Sequence, residues 1–226
     1  PDVRMIFLHF EPSGNDLARM ASLAARSGFA RLVVEDQIVA AVRPVTLSFG
    51  GVPVELPPGR FTQAVEATEQ EMVRLTLAAT AKAKRVADLF CGIGTFTFPL
   101  ARRASVLAVD SDADAIAALA AAARRAQGLK PIETRVRDLY RMPLSAKELY
   151  GFDAVVFDPA RSGAQAQVGE LARSRVPTAV AISCNPGTLA RDARILVDGG
   201  YTLEAVTPID QFLYAGHVEA LAVLRR

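Results

Sequence analysis

Four reactive side chains stand where short apolar runs end: Asp110 after SVLAV, Asp138 after IETRVR, Asp158 after DAVVF and Cys184 after VAIS. In a sheet of parallel strands those ends form the rim of a ligand crevice. One acid at a strand end is an ordinary cap, but four such groups in succession point to a site. Cys184 lies in SCNPGTLARD, just before a Pro-Gly turn that opens a helix. A thiolate there is favoured by the helix dipole and the free amides, so Cys184 is a candidate nucleophile. A small buried cysteine is the other reading of the same residue. Cys91 sits inside a glycine loop where a small side chain suits packing, and reads as structural.

That loop, DLFCGIGTF over 88–96, reads as a strand running into Phe90, a break at Gly92, a second glycine at Gly94 and then a helix. Strand, glycine turn and helix form the half-unit that holds nucleotide-like cofactors, because glycine lets the backbone approach the ligand. Asp110 follows Gly94 by 16 positions, where a carboxylate can accept both hydroxyls of a ribose. A dinucleotide fingerprint wants a third glycine three places after the second. Thr97 stands there instead. Losing the pyrophosphate feature while keeping ribose recognition favours S-adenosyl-L-methionine over NAD. An ordinary strand–helix turn is the bland alternative.

The elements that must position these groups follow from periodicity. Residues 1–60 read as a small α+β piece. It holds a strand in MIFLHF, a helix with Leu17, Met20, Leu23 and Ala24 at helical spacing ending at Gly28, and short β runs with a hairpin at Gly50–Gly51. Pro57 and Pro58 mark a linker. The stretch 63–83 predicts a helix of about five turns with Val65, Met72, Val73 and Leu77 inward. Ser111 with Asp114 reads as a capping pair for a helix running to Gly128. From Arg85 onward seven strands are expected, with helices between the first six and the last strand reversed.

Composition limits the classes. At 226 residues, half of them apolar, the chain suits one large domain or one with a small appendage. A net charge of +2 is no electrostatic footprint for nucleic acid. No apolar run reaches a membrane span, and no signal peptide is legible. Two cysteines make neither a disulfide framework nor a metal site, so a cytoplasmic location and no metal are expected. The chain opens on Pro1 rather than Met, which suggests a fragment. His9 reads as a strand residue.

In order, DLFCGIGTFTFPLA, AVD, DPARSG, SCNPGTLARD and GHVE resemble the class I RNA uracil-C5 methyltransferases, which make 5-methyluridine in ribosomal and transfer RNA. The resemblance covers about residues 61–226. It implies an α/β fold, a doubly wound, seven-stranded Rossmann-like methyltransferase sheet (61–226) behind a small N-terminal α+β domain (1–60). By the same resemblance Cys184 is the nucleophile toward uracil C6 and Glu219, in H-x-E, the base. Gln63 matches the family's cofactor-binding F-x-Q segment at the start of the helix, and Phe90, Gly92, Gly94 and Thr95 line the cofactor loop. Asp110 holds the ribose, Asp138 the adenine side and Asp158 the methionine end. Arg161 is a candidate substrate contact, and His217 reads as structural. RNA is the implied partner, rRNA ahead of tRNA, with the protein acting as a monomer. Departures from the family pattern fall at Val65, Thr95, Leu213 and Ala215, and touch substrate positioning more than chemistry. The N-terminal RNA-binding barrel and iron–sulfur cysteines of larger members are not in this sequence. The alternatives are a methyltransferase acting on another substrate and an inactive fragment that binds cofactor or RNA.

Overall fold

The computed structural model describes residues 2–6, 11–35, 37–59, 63, 65–210 and 218–226. His9, His217 and most of the MIFLHF run lie outside the described residues. The first strand is earlier than expected, β1 (Asp2–Met5). It is followed by α1 (Gly14–Arg26), β2 (Arg31–Val34) and β3 (Gln37–Ala41). Strand β2 is the middle of this sheet, parallel to β1 and antiparallel to β3. The Ser13 hydroxyl caps α1 by accepting from Asp16 N–H, and the Asp16 carboxylate accepts in turn from the Ser13 amide. Ala24 packs on Leu32 and Val34, whereas Leu23 faces solvent.

The hairpin of β4 (Thr46–Phe49) and β5 (Val52–Glu55) turns at Gly50–Gly51, as expected. Its apolar side does not stay with the N-terminal sheet. Phe49, Val52, Val54 and Leu56 share one buried cluster with Ile93, Phe98, Ile116 and Leu119 of the large α/β unit. Arg31 bridges the two regions: it binds Asp2 through two guanidinium N–H groups and donates a third to the Leu56 carbonyl at 2.7 Å.

The large unit comprises α2 (Glu66–Ala79), β6 (Arg85–Leu89), α3 (Thr97–Ala101), β7 (Ser105–Asp110), α4 (Ala113–Arg125), β8 (Ile132–Val136), β9 (Ala154–Phe157), α5 (Gln165–Arg173), β10 (Thr178–Ser183), α6 (Pro186–Asp198), β11 (Thr202–Ile209) and β12 (Glu219–Arg225). Its sheet has the order β11-β12-β10-β9-β6-β7-β8. Six strands run parallel, and β12 inserts antiparallel between β10 and β11. Helices cover both faces. Leu139, Leu144, Leu149, Val168, Leu171 and Leu196 close one side over Leu89 and Phe157; Met72, Phe96 and Leu100 close the other over Val86 and Val156. Each such aliphatic side chain contributes roughly 1.5–3 kcal/mol by leaving water.

Several expectations change in detail. No α-helix joins β8 to β9; residues 137–153 cross as a turn-rich segment. Arg137 pins it through the Met142 and Pro143 carbonyls and the Glu148 carboxylate. Helix α2 has 14 residues, and Val65 is its exposed N-cap residue, not an inward position. The cap of α4 is Asp112, accepting from the amides of Asp114 and Ala115, so Ser111 is not the capping residue. That helix ends at Arg125, and Gly128 lies in the following turn.

Strand β6 is neighboured on one side by β7 and β8 and on the other by β9 and β10. The order therefore reverses beside β6, where an open α/β sheet leaves its ligand crevice. Among the described residues no helix is long and apolar enough to cross a membrane.

Candidate active site

A cavity of about 520 Å³ opens at that reversal point. Phe90, Gly92 and Thr95 reach it from the turn after β6, Asp110 from β7, Asp158 and Arg161 from the loop after β9, Cys184 from the end of β10 and Glu219 from the start of β12. Gln63 lines it as well and also borders a larger groove, about 850 Å³, between the β4–β5 hairpin and α2. Eight of the ten residues read from the sequence as catalytic or cofactor-binding, with the candidate substrate contact Arg161 beside them, therefore line one cavity. Gly94 and Asp138 are not among the lining residues.

The two glycines divide the work. Gly92, at φ +52°, has open space where a Cβ would stand, so it leaves the cavity floor free. Gly94, at φ +105°, has the Phe98 ring 2.6 and 2.8 Å from that position and Leu119 at 3.2 Å. The close approach made by Gly94 is thus to the core, not to a ligand. Gly94→Ala combines left-handed backbone strain with overpacking, and should cost roughly 2–4 kcal/mol, read as a lowered denaturant midpoint.

Asp110 organises the loop. Its Oδ2 accepts from Gly92 N–H and its Oδ1 from Asp112 N–H, both at 2.9 Å. Each carboxylate oxygen retains a lone pair, enough to accept the two hydroxyls of a ribose. Asp138 behaves differently: its Oδ1 accepts from the amides of Tyr140 and Arg141 at 2.9 and 3.2 Å, closing a tight turn beyond β8.

The reacting end lies across β9, β10 and β12. Asn185 ties it together: its side chain accepts from Gly187 N–H and donates to the Arg161 carbonyl at 3.1 Å, which Thr188 Oγ also reaches. Buried Asp192 accepts from the Ala164 amide at 2.6 Å and pairs with Arg191, fixing the other end of the Asp158–Gly163 loop. Cys184, just before the Asn185 N-cap, is partly exposed. Burial, then the Glu219 and Asp158 carboxylates, push its thiol up. That direction is opposite to the one expected from the helix N-terminus alone. Glu219 is 5% exposed, and burial raises its carboxyl. Asp158 is pushed up to about 7 by burial, with Glu219 and Asp88 adding repulsion. Cys91 is buried and its thiol lies well above the usual range, which suits a structural residue.

Asp88 was not singled out by its sequence position. It is 1% exposed, accepts from Thr97 Oγ at 2.5 Å, and its other oxygen has no partner among the described residues. Burial pushes it up to about 7. Its field reaches Asp158 and Cys91, both on the cavity wall. Asp88, Asp110, Asp158 and Glu219 thus converge, and none makes an ion pair among the described residues. Carboxylates left this way fit a ligand carrying positive charge, and S-adenosylmethionine carries a sulfonium and an α-ammonium.

The raised Asp88 makes stability depend on pH. The folded state keeps a proton that the unfolded chain gives up above about pH 4, so stability falls as pH rises toward 7 and stays low beyond. Asp88→Asn should therefore gain roughly 1–2 kcal/mol at pH 8 and nothing at pH 4, by urea unfolding without ligand.

Comparison with known proteins gives a family. Residues 18–226 match the family described as tRNA (uracil-5-)-methyltransferase. The chain belongs to that family. It is 53% identical over 214 residues to an uncharacterized RNA methyltransferase of Brucella melitensis, covering 94% of this chain and 52% of the relative. It is 35% identical to the 23S rRNA (uracil(1939)-C(5))-methyltransferase RlmD of Aeromonas salmonicida, covering 99% of this chain and 53% of that protein. Among solved structures, the Pyrococcus abyssi tRNA (uracil-54, C5)-methyltransferase in complex with S-adenosyl-L-homocysteine superposes with a TM-score of 0.71. The two are 25% identical over 86% of this chain and 50% of that one. The chain spans about half the length of these uracil-C5 and RNA methyltransferase relatives.

Proposed function

We propose that this chain carries the catalytic unit of an RNA uracil-C5 methyltransferase that uses S-adenosyl-L-methionine. The observation that carries the reading is one cavity shared by Cys184, Glu219 and Asp158 at one end and by Gly92 and Asp110 at the other. A nucleophile and a base meet a place for a nucleoside-bearing cation. Gly92, Thr95, Asp110 and Gln63 would hold the cofactor, with Asp158 facing its charged end and buried Asp88 adding its field through Asp158. When bound, the cofactor supplies an electrophilic methyl group.

The chain's own residues account for the rest. Uracil C5 is a poor nucleophile until a thiolate adds at C6. Cys184 gives up its thiol proton to solvent and forms that C6–S bond as the thiolate, and the electron pair of the C5=C6 bond moves onto C5 and O4. Once C5 carries the methyl, Glu219 takes the C5 proton. The C5=C6 bond re-forms, the C6–S bond breaks, and Cys184 leaves with 5-methyluridine released. The target uridine must be single-stranded or turned outward to reach the sulfur. Ribosomal RNA is the favoured substrate: the rRNA-modifying relative is 35% identical over nearly the whole chain, against 25% for the tRNA-modifying structure.

The test is tritium release from [5-³H]uridine-labelled ribosomal RNA in the presence of S-adenosylmethionine. Release matched to methyl incorporation supports the proposal. Methyl transfer without release would move the activity to another substrate, and tight cofactor binding without transfer would leave a binding module.

A further inference from the structure

The adenine side of the cofactor was expected at Asp138, whose carboxylate instead closes the turn beyond β8. What that turn presents to the cavity is Tyr140. Its ring is 43% exposed, lies 5.2 Å from the Phe90 ring at an interplanar angle of 50°, and receives a hydrogen bond on its hydroxyl from Ser162 Oγ at 3.4 Å. Tyr140 also forms the boundary with a second cavity of about 460 Å³, lined by Ser162, Gly163, Gln165, Ala166 and Arg191.

We propose that Tyr140 is the aromatic wall against which the nucleobase of the cofactor packs, and that Asp138 is a positioning residue acting through it. The assignment rests on the reading of the cavity as an S-adenosylmethionine site. Position argues for it. Asp110 ends β7, and β8 is the next strand outward, on the side away from Cys184 and β10. A ribose held at Asp110 has its reacting end toward β9 and β10, so its base lies toward the segment that follows β8. Within that segment, Tyr140 is the cavity-lining aromatic among the described residues. Chemistry argues the same way. A purine is a flat π surface, and a half-exposed ring in tilted contact with Phe90 gives it an aromatic face at little entropic cost. The two amides held by Asp138 fix the turn that aims the ring, which explains why an acid stands there without lining the cavity.

Calorimetric titration of the whole chain with S-adenosylhomocysteine and with 5′-methylthioadenosine tests this. Tyr140→Ala should weaken both by the same factor, about ten- to a hundred-fold, because the lost contact is to the shared base. Tyr140→Phe should stay within about threefold. In the Tyr140→Ala background, adding Asp138→Ala should change affinity by less than about twofold. The chain has no tryptophan, so Tyr140→Trp provides a single reporter whose fluorescence S-adenosylhomocysteine should quench. Wild-type affinity in Tyr140→Ala, or an unchanged Trp spectrum, overturns the proposal. So does an effect confined to the KM for RNA, which would make the ring a stacking platform for the substrate. Loss of both ligands in the alanine variant, with no tritium release from RNA by the wild type, would leave Tyr140 assigned and remove the proposed reaction instead.

Discussion

Cys184→Ala abolishes methylation of uridine, by about 10⁴-fold or more, while S-adenosylhomocysteine still binds within about twofold. The size of the effect follows from what the thiol is asked to do. Without the C6–S bond, C5 has no carbanion character and the remaining groups can only align the reactants. The separation from binding follows from the geometry, since Cys184 comes from β10 and the loop held by Asp110 comes from β6 and β7. Incubation with 5-fluorouridine RNA and cofactor provides the decisive readout. Fluorine at C5 cannot leave as a proton, so the wild type should be captured as a stable protein–RNA adduct, resolved as a mass increase on a peptide containing Cys184. Equal capture by wild type and Cys184→Ala would assign the nucleophile elsewhere.

The framework of the large sheet was legible because its strands are short continuous apolar runs closed by polar residues, a pattern that buried parallel strands impose. The reversed last strand was legible because VEALAVL follows YTLEAV after a short, hairpin-like approach in the sequence. What composition and period could not carry were relations between distant segments. The β4–β5 hairpin has a clean alternating pattern, but that pattern cannot say whether its apolar face covers the N-terminal sheet or Phe98 and α4. The crossover 137–153 has no period, since it is shaped by Arg137 reaching backbone carbonyls rather than by a repeating face. At the site, Asp110 was readable because spacing from the glycine loop fixes it. Glu219 was reachable only by resemblance, as a strand-start glutamate ordinarily faces water and this one is buried. Asp138 shows the limit most clearly. An acid at a strand end can face a ligand or bind its own following amides; Asp138 binds those of Tyr140 and Arg141 and stands outside the cavity lining, which spacing alone could not say. Tyr140 was not singled out in the sequence; the signal that could have found it is an aromatic two places beyond that acid.

Glu219→Gln should slow turnover by about 10²–10⁴-fold and make the methylated adduct accumulate, because C6–S cleavage must await loss of the C5 proton. Denaturing electrophoresis of protein with ordinary uridine RNA would then show a covalent band that the wild type does not hold. A merely structural Glu219 would lower all rates without that band. The same substitution has a second consequence with a definite sign. After burial, the Glu219 carboxylate is the leading cause that holds the Cys184 thiol up. Neutral Gln removes that repulsion, so the thiol gives up its proton at lower pH. The rate of Cys184 alkylation by iodoacetamide, followed against pH, should have its rising limb shifted toward neutrality in Glu219→Gln. Buried Cys91 should not contribute to that curve. A variant that turns over normally would remove Glu219 as the base. A slowed variant with an unshifted alkylation curve would place its carboxylate too far from the sulfur to share the reacting ring.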